Sequence, residues 1–246
     1  MPRSRNLFDP NSSKPFKLSR SKIEQFLKCA RCFYLDRRLG VGQPSGPPFT
    51  LNAAVDQLLK REFDLYREKG EAHPVMEINN VRAKPFQHSQ LETWRNTFVG
   101  VQHLHEATNL LVFGAIDDIW VNHDGLLHVV DYKATSTNKT ISLDDPWKLA
   151  YKRQMEIYQW LLRRSGLQIS DLGYFLYVNG QRDREGFDST LRFGVHLLSY
   201  SGSDAWVEET LLKIRSCLDK ETLPDPSEDC EWCVYRRDAQ DTEDWD

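Results

Sequence analysis

No run of about 18 consecutive apolar residues occurs in this 246-residue chain, so no segment reads as a membrane-spanning helix. The first residues, Met1-Pro2-Arg3-Ser4-Arg5, lead into polar sequence without an apolar core. No secretory signal is expected, and a cytoplasmic location is. There is no internal repeat and no stretch that reads as a linker between folded units. Cysteine is scarce, and five residues are too few for a disulfide scaffold in a chain this long. A strong charge excess is also missing: the net charge of −4 argues against a protein that coats nucleic acid nonspecifically.

The charge that is present is unevenly spread. Residues 1–40 carry ten Lys/Arg against three Asp/Glu, and residues 219–246 carry eleven acids against three bases. Phosphate contacts would have to come from local basic surface, although composition alone reads both ends as solvated. With 40% hydrophobic and 28% charged residues, the chain has enough apolar material to bury the core of a soluble globular protein.

Residues 1–16 are polar and proline-containing and read as a mobile segment, residues 17–237 as one α/β domain, and residues 238–246 as an acidic tail. A helix is expected from about Ser21, where Ser21-x-x-Glu24 has the form of a capping box ahead of Ile23, Phe26 and Leu27. Residues 40–50 form a loop. Val55, Leu58, Leu59, Phe63 and Tyr66 recur at helical spacing over about 52–69. Residues 70–90 read as irregular and 90–98 as a short helix. The period then changes to two: strands are expected at 101–106, 110–121 and 126–134, forming a three-strand meander. A helix at about 146–164, strands at 172–178 and 190–198, and a helix at 203–219 complete the order.

The hairpin formed by the last two strands of the meander carries the chemistry. With a three-residue loop His123-Asp124-Gly125 and Gly125 in the left-handed conformation, Asn122 pairs with Leu126. That register sets Asp117 opposite Asp131. Lys133, two residues further on, shares the Asp131 face. Such a trio on an apolar hairpin is costly unless compensated. A divalent cation between the carboxylates would compensate it, since hard cations choose oxygen ligands. A buried salt bridge between Lys133 and the aspartates is the alternative the same geometry allows.

Gly114-Ala115-Ile116-Asp117, then Asp131-Tyr132-Lys133, then Gln154-Met155-Glu156-Ile157-Tyr158 resembles the motif order of RecB-type nucleases. That branch of the PD-(D/E)XK superfamily includes the nuclease domains of bacterial recombination helicases and the CRISPR adaptation nuclease with an iron–sulfur cluster. The resemblance implies a restriction-endonuclease-like α/β fold, a mixed central sheet flanked by helices. It implies hydrolysis of phosphodiester bonds in DNA, in repair, recombination or defence. It further implies that Asp117 and Asp131 hold Mg²⁺ or Mn²⁺ with the Tyr132 carbonyl, that Lys133 orients water, and that Gln154 and Tyr158 position substrate and catalytic groups. Family members carry a metal-binding histidine on the preceding helix, four residues after a glycine. Here that stretch reads Asn52-Ala53-Ala54-Val55-Asp56, which makes Asp56 the replacement ligand or a surface residue. A noncatalytic nucleic-acid-binding module of the same fold, or a structural zinc protein, are the rival readings.

Four cysteines fall in two Cys-x-x-Cys pairs, Cys29/Cys32 and Cys230/Cys233, and Cys217 is left over as a buried thiol. In a reducing compartment paired spacing points to metal ligation. Four thiolates bind Zn²⁺ or an iron–sulfur cluster, and either would tie the chain's ends together across roughly 200 residues. Spacing alone leans to zinc. The surroundings of both pairs are similar to the opening helix and the C-terminal end of the cluster-bearing nucleases, and this likeness tips the expectation to a four-iron four-sulfur cluster. The family's cluster arrangement, however, has one cysteine near the start and three near the end.

Overall fold

The computed structural model describes residues 6–44 and 46–243; Met1–Arg5, where a signal would begin, lies outside the described residues. In chain order the elements are β1 (Phe16–Ser19), α1 (Arg20–Lys28), α2 (Ala30–Arg37), α3 (Thr50–Lys69), α4 (Pro74–Ile78), β2 (Ala83–Pro85), α5 (Leu91–Arg95) and β3 (Val101–His105). There follow β4 (Leu110–Gly114), β5 (Asp118–Asn122), β6 (Leu127–Thr135), α6 (Leu149–Arg164), β7 (Leu172–Gly180), β8 (Phe193–Ser201), α7 (Trp206–Leu218) and α8 (Glu231–Glu243). The fold is the expected mixed α/β architecture. Two compact units are present: one draws on the chain up to Pro47, His103–Phe113 and the part from Ala205 onward, the other on Pro48–Gln102 and Gly114–Asp204. No helix among the described residues is long and apolar enough to cross a membrane.

The first unit holds a three-stranded sheet in the order β1-β4-β3, with β1 parallel to β4 and Leu18 opposite Val112. Leu18, Ile23, Phe33, Val112, Leu211 and Ile214 are fully buried. Residues before β1 lie against this unit: Phe8 is buried and its ring meets Phe16 edge-on at 5.4 Å. The capping box expected at Ser21 does not form. The helix starts one residue earlier, after Ser19 and without a side-chain cap. The Ser21 hydroxyl is instead hydrogen-bonded to Ser19 Oγ at 2.9 Å, and Glu24 is turned inward and buried.

The second unit holds a five-stranded sheet in the order β2-β5-β6-β7-β8. The β6–β7 pair is parallel, while β2–β5, β5–β6 and β7–β8 are antiparallel. One face packs on α3 and α4 through Phe63, Met76, Trp120, Tyr132 and Tyr174. Phe63 and Trp120 stack at 5.5 Å, and full burial of a side chain like Phe63 contributes roughly 1.5–3 kcal/mol. The other face carries α6, whose residues from Gln154 to Leu162 are all buried; a helix buried on every side lies inside its domain.

Two expectations are corrected here. The run 110–121 is not one strand, and the three-strand meander does not exist. The run breaks at 115–117, and its halves enter different sheets. Two contacts divert the backbone from the ladder: Ile116 N–H donates to the Trp94 carbonyl at 3.1 Å, and Gly100 presses on Gly114. Gly100 has φ +65°, and a Cβ there would stand 2.4 Å from the Gly114 carbonyl oxygen, so no other residue fits. Residues 70–90, expected to be irregular, contain α4 and β2. The start of α4 is fixed by Pro74 and by His73, whose ring accepts from Val75 N–H at 3.1 Å.

Candidate active site

The β5–β6 hairpin has the register that its turn demands. Gly125 is left-handed at φ +81°, Asn122 N–H donates to the Leu126 carbonyl at 3.0 Å, and the Asn122 side chain accepts from Leu126 N–H at 2.9 Å. Asp118 then pairs with Val130, which brings Asp117 and Asp131 level on the two chains. Asp117 Oδ2 accepts from Tyr132 N–H at 2.9 Å, and Arg95 Nε fixes the backbone there by donating to the Asp117 carbonyl at 3.0 Å.

Asp131 is fully buried and forms an ion pair with Lys133 Nζ through Oδ2. Its other oxygen, Oδ1, accepts from Gln154 Nε2 at 2.7 Å. The same amide nitrogen donates to Tyr158 OH at 3.1 Å, and Gln154 Oε1 accepts from Lys133 Nζ at 3.4 Å. Gln154 and Tyr158, one turn apart on α6, thus hold the Asp131–Lys133 pair from above. Burial works against a charge on Lys133, but the Asp131 and Asp117 carboxylates outweigh it and hold its pKa above the usual lysine value. Lys133 is therefore held as an ammonium against these carboxylates.

Asp56 and Asp117 are joined by a residue that the sequence did not single out. Lys60 Nζ lies 2.8 Å from Asp56 Oδ2 and 3.1 Å from Asp117 Oδ1. Burial and the Asp117 charge raise the Asp56 pKa despite Lys60. Burial opposes the Lys60 charge, yet Asp117 and Asp56 raise its pKa in turn. The three carboxylates do not stand as close together as the four thiols do: among the described residues, the thiols alone form a set of three or more ligand atoms within 4.8 Å of one another. Even so, Asp56 and Asp117 turn oxygens onto one cation, Lys60, and hard oxygen donors of this kind suit Mg²⁺ or Mn²⁺.

The reverse face of the hairpin shows what the neighbouring aspartate is for. Asp118 is fully buried and accepts from Arg67 Nη2 at 2.5 Å and from Tyr132 OH at 2.8 Å. Consecutive strand residues point to opposite faces. Asp117 therefore lies on the face of Asp131 and Lys133, while Asp118 anchors the core beneath it. Arg67, Arg95 and Asp118 went unmarked in the sequence because a single charge on a helix or strand carries no spacing signal.

The cysteine pairs meet in the first unit. Cys29 is the extended residue that ends α1 and caps the start of α2, where its sulfur accepts from Cys32 N–H. Cys230 likewise precedes α8, and Cys233 N–H and Val234 N–H turn back to its carbonyl at 2.9 and 3.0 Å. Both pairs sit at helix N-termini, where the positive dipole end favours thiolates. The sulfurs of Cys29 and Cys233 are 3.7 Å apart, those of Cys32 and Cys230 3.5 Å, and those of Cys32 and Cys233 3.7 Å. Burial opposes ionisation of Cys29, but hydrogen bonds from the Ser227 and Cys32 backbone lower its pKa to about 6. Burial and the neighbouring thiols push Cys32 up, and Cys233 is pushed up to about 11. Cys217 is buried and outside this set.

The family model of the PD-(D/E)XK nuclease superfamily matches residues 50–237, a span that includes Asp56, Asp117, Asp131, Lys133, Gln154 and Tyr158. No curated protein matches the chain. A solved structure described as "Crystal structure of SSO0001" is similar over 94% of this chain and 86% of that one, at 15% identity and a TM-score of 0.42. The superfamily's nucleases generally use divalent metals, and the four thiols are compatible with a bound metal.

Proposed function

The chain belongs to the PD-(D/E)XK nuclease superfamily, and on that premise we propose that it is a divalent-metal-dependent nuclease hydrolysing phosphodiester bonds in DNA. The observation that carries this reading is the Asp131–Lys133 pair, locked by Gln154 and level with Asp117. Asp117, Asp131 and the Tyr132 carbonyl would hold Mg²⁺ or Mn²⁺, with Asp56 alongside. A bound cation there supplies polarisation of the scissile phosphate and a more acidic water. With Asp131 and Gln154 engaging two of its N–H donors, Lys133 would turn the third toward the attacking water and the charge that develops on phosphate. Gln154 fixes both Asp131 and Lys133, and Tyr158 fixes Gln154.

The test is incubation of purified protein with labelled single- and double-stranded DNA, with Mn²⁺ or with EDTA. Cleavage is expected with Mn²⁺ only. Asp117→Ala should weaken Mn²⁺ binding by calorimetry, and an unchanged affinity would remove Asp117 from the ligand set. Lys60 stands where its charge opposes that of an incoming cation, so Lys60→Met should lower the Mn²⁺ concentration needed for half-maximal rate. The same observation favours a second reading, a binding module of this fold in which Lys60 has displaced the metal. DNA bound but uncut at saturating Mn²⁺, in both wild type and Lys60→Met, would support that module.

For the thiol site we propose a single tetrahedral ion, Zn²⁺. Zinc–sulfur bonds of about 2.3 Å set every pair of sulfurs about 3.8 Å apart; three of the pairs here stand at 3.5–3.7 Å, and all four sulfurs lie within 4.8 Å of one another. A four-iron cluster binds each thiolate at a different corner and asks for wider spacing. Metal analysis distinguishes them: one zinc per colourless chain against brown protein with about four irons.

A further inference from the structure

On the parallel strand next to Lys133, and paired with it, stands Tyr177. Partners across strands share a face, so Tyr177 projects to the side of Asp131 and Lys133. It is only 3% exposed, and its hydroxyl is buried with no hydrogen-bond partner among the described residues. A phenylalanine would fill the same space without a buried, unanswered donor.

The ring borders a cavity of about 370 Å³ that it shares with Lys133, Thr135, Lys139, Trp147 and Tyr151. One wall of this cavity is pinned in place. Ser136 Oγ donates to the Gly180 carbonyl at 2.8 Å, Thr137 N–H to Asn179 Oδ1 at 2.8 Å, and Asn179 Nδ2 back to the Thr137 carbonyl at 2.9 Å. Opposite, Lys148 donates to the Ser142 carbonyl at 2.6 Å and neutralises Asp145 at 2.8 Å. The Lys133 ammonium lies 4.6 Å from the centre of the Tyr151 ring. Trp147 is 62% exposed and meets Tyr151 edge-on at 5.4 Å.

Resting on the nuclease reading above, we infer that this cavity seats one unpaired nucleotide of the substrate strand, with the Tyr177 hydroxyl donating to its phosphate beside Lys133 and Trp147 stacking on its base. The volume lies at the small end of ligand pockets, which span roughly 300–1,000 Å³; one nucleotide enters and a base pair does not. Lysines beside aromatic rings are the usual means of holding a single strand without reading its sequence. Burial, with Tyr151 and the Asp131 and Asp145 charges, pushes the Tyr177 phenol above its ordinary pKa, so it remains a donor throughout the working range. The substrate class is therefore single-stranded DNA or a frayed end.

The experiment compares wild type, Tyr177→Phe and Trp147→Ala on a labelled single strand, on the same strand as a blunt duplex, and on a strand lacking the base beside the cleaved bond. Wild type should prefer the single strand. Tyr177→Phe should raise KM about tenfold or more while its thermal midpoint stays level or rises. Trp147→Ala should cost about tenfold on the intact strand and nothing further on the strand without the base. Tyr177→Phe kinetics equal to wild type, or a preference for the blunt duplex, would overturn the assignment and leave the nuclease reading standing. If wild type binds the strand and does not cut it, the nuclease reading fails instead. The cavity is then judged by Kd: weaker binding by both variants supports it, and unchanged binding overturns it.

Discussion

Lys133→Ala is expected to slow metal-dependent cleavage by about 10²- to 10³-fold, the usual cost of removing one preorganised electrostatic contact, and Asp131→Ala to abolish it. Lys133 shares its ammonium between Asp131 and Gln154. Removing only the lysine breaks a buried ion pair from one side, a change that costs about 3–5 kcal/mol. Lost activity could then reflect lost folding. The double variant Asp131→Asn/Lys133→Met removes both charges at once and should melt nearer to wild type while staying inactive. Because the carboxylates hold its pKa up, Lys133 remains charged below its ordinary value of about 10.4. Retained cleavage in both Lys133→Ala and Asp131→Ala would sink the assignment.

Cys29→Ser is expected to release the metal and lower the thermal midpoint by about 10 °C or more, since each kcal/mol moves a chain of this size by about 2–4 °C and structural zinc supplies about 10 kcal/mol or more. Cys32, Cys230 and Cys233 should behave alike, because all four sulfurs lie within 4.8 Å of one another. Proteolysis should then open both ends of the chain, where α2 and α8 begin at the thiols. Cys217→Ser should leave metal content unchanged, as Cys217 is outside the set. Protein that carries no metal, with Cys29→Ser as stable as the parent, would refute a shared centre.

The hairpin was legible because its turn is. Asn122 to Gly125 allows one loop geometry, and that geometry dictates which residues face each other five positions further along each strand. Gln154 and Tyr158 were legible from their helical spacing only in company with the hairpin. Lys60 was not, since a lysine four residues after an aspartate is an ordinary surface pair until Asp117 closes on it from a strand. The break at 115–117 was hidden because apolar residues continue through it; the cause is Gly100, remote in sequence, pressing on Gly114. Tyr177 lies in the buried run Tyr174–Val178, where an aromatic residue reads as core and its hydroxyl goes unnoticed.

Two aspartates stand side by side at the start of β5, and a slip of one residue in the β5–β6 pairing would exchange them. Asp118 would then offer a carboxylate to the catalytic face, so acidity alone could not distinguish the right alignment from the wrong one. Arg67 can. It reaches Asp118 at 2.5 Å from the far side of the sheet, and in the slipped alignment its Nη2 would lose that carboxylate, leaving the guanidinium to Asp64 and the Phe86 carbonyl. A misaligned chain would thus give up a buried ion pair. Variants that delete the Arg67 charge should accordingly tolerate insertions in the 123–125 turn that the parent does not, while yielding a folded fraction unable to cut.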